Sequence, residues 1–97
     1  MKKWRHGDVI LQKVGAVKGK KLQHHTLAEG EVTGHSHRIT EGDATLYEEN
    51  GTLYLHVESE TAALTHEEHA RIDLPKGDYQ ITIQREYEPS GWRNVAD

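Results

Sequence analysis

Cysteine is absent from the 97 residues. That excludes disulfides and thiolate metal sites, so any metal must be held by nitrogen and oxygen. Phenylalanine is absent as well, aromatics are 6% and apolar residues only 34%. The available core is modest: Val9, Leu11, Leu46, Leu53, Leu55, Val57, Leu64, Ile72, Leu74, Ile81 and Ile83. A domain of this length buries about 60–65% of the surface of its unfolded chain. A bound metal or a dimer interface would be useful extra support. No apolar run approaches the roughly 18 residues that suggest a membrane span. No apolar segment of leader length follows Met1–Arg5, so the expected location is the cytoplasm. There is no internal repeat and no Pro-rich linker. One domain over 1–97 is expected, with 1–7 and 93–97 as mobile ends.

Net charge is −4 with histidines neutral, which speaks against broad nucleic-acid binding. The charge is uneven. Residues 1–23 hold seven of the twelve Lys and Arg and a single acid, Asp8. Such a basic end could steer a phosphate ligand, or simply be a solvated surface segment.

Turn signals divide what remains into short strands. Residues 7–14 (GDVILQKV) read as a first strand, rich in apolar and β-branched residues. Residues 15–30 show no period and read as a long loop with at most a short helical turn. Asn50-Gly51 lies between two strand-like runs and predicts a two-residue hairpin, because both residues tolerate positive φ. That loop pairs Tyr47 with Tyr54, Leu46 with Leu55 and Thr45 with His56. Ala44, Leu46, Leu53, Leu55 and Val57 then form a core face. Thr45, Tyr47, Tyr54 and His56 form the other, which is either a stabilising cross-strand surface or a ligand or dimer surface.

THEEH (65–69) reads as one helical turn, with Thr65 and Glu68 as a capping box. Strands 70–74 and 79–87 are expected to join through a type I turn at Pro75-Lys76-Gly77-Asp78, and PSGW (89–92) to end the sheet. The pattern predicts an all-β domain, a small antiparallel barrel or sandwich of five to seven strands.

Eight histidines are the strongest compositional signal. Imidazole is the commonest protein ligand for transition metals. In a strand over 31–40, His35, His37, Ile39 and Glu41 share one face. Histidines at i and i+2 lie roughly 6.5–7 Å apart at the backbone, close enough to converge on one ion. His66 or His69 could supply a third ligand, and three ligands with an open position would be the catalytic pattern. Glu41 is a candidate carboxylate ligand, and Glu41, Glu67 or Glu68 a candidate general base. His24 and His25 fall in the loop and are expected to be exposed, while His6 and His56 have no evident partners.

The run GEVTGHSHRITEG, with Gly30, His35, His37 and Glu41, resembles the first metal motif of the cupins. Gly30 stands one residue closer than in that motif, and its closing glycine is missing. Pro75 and Gly77 resemble the turn of the second cupin motif, with Gln80 where its histidine would stand. The resemblance spans roughly residues 30–84. It implies a small β-barrel with His35, His37 and Glu41 facing an inner cavity.

Three functions follow as expectations. The first is a divalent-metal site (zinc, manganese, iron or nickel) that polarises a carbonyl or phosphoryl oxygen, as a metal-dependent hydrolase or related enzyme would. The second is a metal-independent phosphodiesterase using paired histidines, with the basic segment, Arg38, Tyr47 and Tyr54 contacting RNA or a nucleotide. The third is a binding module that forms a homodimer through the tyrosine face. No serine or threonine lies in a nucleophile motif, and no glycine loop cradles phosphate.

Overall fold

The computed structural model describes residues 2–29 and 35–83, Glu29 by its backbone alone. Several sequence expectations lie wholly or partly outside these residues: Gly30 and the histidine strand over 31–34, the last strand beyond Ile83, the PSGW stop and the end over 93–97. Among the described residues the chain is all β, as expected, with no helix. The strands are β1 (Lys3–His6), β2 (Val9–Val14), β3 (Lys20–Lys21), β4 (Thr26–Glu29), β5 (Ser36–Glu41), β6 (Ala44–Glu49), β7 (Thr52–Thr65) and β8 (Ile72–Ile83). They form one antiparallel sheet in the order β1-β2-β8-β7-β5-β4, with β6 also on β7 and β3 on β6. Among the described residues the sheet does not close into a barrel.

The β6–β7 hairpin follows directly from its sequence. Asn50 and Gly51 take φ of 52° and 82°, the pair of positive values a type I′ turn requires. The register is Tyr47↔Tyr54, Leu46↔Leu55 and Thr45↔His56. Leu46, Leu55 and Val57 are fully buried on the inner face, each contributing about 1.5–3 kcal/mol. On the outer face the His56 ring pairs with Asp78 at 2.5 Å, so His56 has a partner that sequence did not reveal.

β7 is the spine. Its first half lies between β6 and β8, and its second half between β5 and β8. The partner changes at an irregularity: Val57 pairs with Gly77 and Thr61 with Pro75, so β7 advances four residues while β8 advances two. This bulge explains a departure from expectation. Pro75-Lys76-Gly77-Asp78 is not a turn between two strands but the bent middle of one, β8. Proline and glycine are tolerated in a strand where the ladder is already interrupted. The Tyr79 hydroxyl donates to the Pro75 carbonyl, and its ring packs edge-on against Trp4 at 5.4 Å. Burial pushes the Tyr79 hydroxyl up to about 12.

Three other segments differ from expectation. Residues 15–30 contain β3 and β4, where Lys20 faces Glu48 across the ladder. Lys3–His6, expected as part of a mobile end, pair with β2 because Trp4 and His6 stand opposite the buried Leu11 and Val9. Residues 66–70 form an irregular connection with bends at 67–69, not a helical turn. Thr65 ends β7 opposite Arg38, and the His66 ring, not Thr65, accepts the Glu68 amide at 2.9 Å. Side chains from β2, β4, β5, β6, β7 and β8 meet in one core, so the sheet must curl enough to bring its outer strands together.

Candidate metal centre

Alternation sets the first candidate ligand. His37 and Ile39 are both buried on the inner face of β5, and His37 faces Ala28 of β4. His66 and His69 come from the bends between β7 and β8, and β5 pairs with the end of β7. The sheet register therefore carries both to His37. The rings of His37 and His66 are 4.4 Å apart, those of His66 and His69 4.7 Å, and those of His37 and His69 5.5 Å. One ring nitrogen from each of the three lies within 4.8 Å of the others.

His6 joins the cluster from the end of β1. Its ring lies 4.9 Å from that of His37, and both residues are only 2% exposed. A signal for it exists in the sequence. Gly7-Asp8 is a two-residue hairpin loop, and folding β1 back on it sets His6 opposite Val9. Gly7 has φ of 65°, and a Cβ there would sit 2.6 Å from His69 Nε2 and 3.1 Å from His37 Cε1. The turn is thus pressed against two of the rings, at a position where only glycine fits without displacement.

The hydrogen bonds fix where the ring protons lie. His6 Nε2 is 3.0 Å from the Ala70 carbonyl, which can only accept, so Nε2 carries the proton. Burial lowers the pKa of His6, with the neighbouring His69 and His66 adding to the effect against the Ala70 bond. Neutral His6 therefore presents a bare Nδ1, 2.8 Å from His37 Nδ1. His37 must donate there. Its own pKa is lowered to about 4, first by burial, then by His66 and His6, against the opposing pull of Asp8. Neutral His37 with its proton on Nδ1 has a bare Nε2, the form a metal needs. That Nε2 faces Asp8 Oδ1 at 3.4 Å, about the edge length of a tetrahedron with metal bonds near 2.0–2.1 Å.

His66 is set differently. Its Nδ1 accepts the Glu68 amide, so ligation through Nδ1 exchanges that bond for the ion, costing about 1 kcal/mol. Among the described residues no hydrogen bond engages the His69 ring.

The remaining expected residues divide. His35 is half-buried at the margin, with its ring 5.6 Å from that of His66 and its Nδ1 3.5 Å from Glu68 Oε2. A second group of potential ligands, His35, His66 and Glu67, is geometrically possible. However, Glu67 is already engaged: it accepts the Ser36 amide at 3.1 Å and pairs with Arg38 at 2.9 Å. The Arg38 bond, followed by that amide, holds the Glu67 carboxyl down at about 2. Glu41 does not share the histidine face. Ile39 pairs with Leu64 but Glu41 with the adjacent Ala63, so a bulge at Thr40 breaks the alternation. Glu41 is exposed and pairs with Arg71 at 3.2 Å. Arg38, expected among phosphate contacts, is bound internally by Glu67 and Ser36. His24 and His25 are exposed, as expected.

A groove of about 630 Å³ lined by Leu22, Leu27, Ala28 and Leu53 lies elsewhere and contains none of the clustered rings. Among the described residues no helix is long and apolar enough to cross a membrane.

Residues 5–84 match the family described as Domain of unknown function (DUF8820), and the chain belongs to it. The matched span takes in His6, His37, His66 and His69 together. No curated protein and no solved structure matches the chain.

Proposed function

We propose that this DUF8820 domain binds one divalent transition-metal ion through His37, His66 and His69. The carrying observation is the convergence of three imidazole nitrogens to within 4.8 Å of one another. The ring chemistry suits the ion. His37 is buried, neutral and already in the tautomer that leaves Nε2 bare. An all-imidazole set suits zinc, nickel or iron better than magnesium or calcium, which take oxygen. Zinc fits most simply, because three protein ligands at a surface-accessible cluster leave a position open, as in catalytic zinc sites. Such an ion supplies Lewis acidity toward a carbonyl or phosphoryl oxygen, the basis for a hydrolytic activity. Asp8 is the carboxylate beside the bare His37 nitrogen, in the position for a fourth ligand or a proton acceptor. Glu68 stands beside His35, and Glu41 pairs with Arg71.

The test is calorimetric titration of zinc into the full chain after chelator treatment, with His37→Ala, His69→Ala and Glu41→Gln beside it. One ion per chain, lost in both histidine variants and retained in Glu41→Gln, is the expected result. Zinc uptake unchanged by His37→Ala would overturn the assignment.

A further inference from the structure

One histidine in the cluster has both ring nitrogens hydrogen-bonded, yet touches every segment that supplies a proposed ligand. His6 bonds to His37 on β5 through Nδ1 and to the carbonyl of Ala70, next to His69, through Nε2. Its ring also lies 5.6 Å from that of His69 and 6.4 Å from that of His66. With both nitrogens spent, His6 has no lone pair left for an ion. Each bond does something separate. The bond to His37 holds that ring in the Nδ1–H form and leaves Nε2 bare on the side of Asp8. The bond to Ala70 ties the bends carrying His66 and His69 to the end of β1.

We infer that His6 is the positioning residue of the centre, a buried imidazole that sets the tautomer of His37 and docks the segment bearing the other two ligands. This role rests on the metal reading above. Ligating histidines commonly donate their second ring N–H to a carboxylate or carbonyl, which fixes ring orientation and raises basicity. Here a second histidine takes that place, and the backbone carbonyl stands behind it. The arrangement Ala70 carbonyl, His6, His37 is directional: a carbonyl at one end cannot donate, so each proton in turn points away from the ligand nitrogen.

Two variants separate the two bonds. His6→Leu removes both. His6→Asn places an amide oxygen near the Nδ1 position, where it accepts from His37, and gives up the reach to Ala70. Nitrogen NMR of the imidazole rings, recorded on metal-free protein, reads the tautomer of His37 directly. Wild type and His6→Asn are expected to show the Nδ1–H form, and His6→Leu a mixture. Zinc affinity is expected to fall about 10- to 100-fold in His6→Leu and to recover in part in His6→Asn.

Wild-type protein that binds zinc but carries the His37 proton on Nε2 would overturn the positioning role alone. The Nδ1–H form in a wild type that takes up no zinc would overturn the metal reading, and with it any role of His6 toward an ion. The wild-type spectrum decides the tautomer even if His6→Leu fails to fold.

Discussion

Replacing Gly7 with alanine should separate backbone strain from damage to the proposed metal centre. Gly7 sits at φ 65°, and an L-residue held in the left-handed region loses about 1–2 kcal/mol. For a domain this small, each kcal/mol lowers the melting temperature by about 4–8 °C. The added methyl would also meet His69 Nε2 at 2.6 Å. Restoring an ordinary contact of 3.4 Å moves the ring by about 0.8 Å, several times the roughly 0.2 Å by which a metal–ligand distance can vary. Forcing His69 back onto the ion in a strained rotamer costs about 1 kcal/mol, or roughly a fivefold loss of zinc affinity. Gly51 is the control. It has φ 82° and nothing within 4 Å of an added Cβ. Gly51→Ala should therefore lose similar stability and keep wild-type zinc affinity. Chemical denaturation of metal-free protein and zinc competition against a chromogenic chelator give both numbers. Equal zinc affinity in the Gly7 and Gly51 variants would refute the placement of the turn against His69.

Other consequences are as direct. The pKa of His37 falls from 6.5 to about 4 on folding, so between these values the unfolded chain binds the extra proton. Stability should drop as pH falls through this window, by up to about 3 kcal/mol. Denaturant midpoints from pH 7 to 4 measure the drop, and His37→Gln should flatten it. Leu55→Ala empties a fully buried position under the hairpin and should lose about 2–5 kcal/mol, read by the same denaturation. Glu41→Gln removes an exposed pair with Arg71 and should change stability by less than about 1 kcal/mol.

How much of this was legible depends on whether the determining interaction is local. The β6–β7 hairpin is: Asn50-Gly51 fixes the turn, the turn fixes the register, and alternation then assigns Leu46, Leu55 and Val57 to the core. His37 was legible for the same reason, together with Ile39 two residues on. Glu41 was not, because the bulge at Thr40 is set by how β5 meets β7, a partner more than twenty residues away. Pro75 and Gly77 gave an ambiguous signal, since the same residues suit a turn and a bent strand. Only the additional residues of β7 opposite them decide the outcome. The helical turn at 65–69 failed because the His66 ring, not Thr65, satisfies the amide of Glu68. His6 was the costliest omission. Its partners are 31 and 64 residues distant in the chain, and only carrying the alternation of β2 back through Gly7-Asp8 would have pointed inward.

X-ray absorption at the zinc edge tests the central claim most directly. Zinc-loaded wild-type protein should show three imidazole nitrogens at about 2.0–2.1 Å, falling to two in His69→Ala. An oxygen-only shell, or a shell identical in wild type and His37→Ala, would contradict a centre built on His37, His66 and His69.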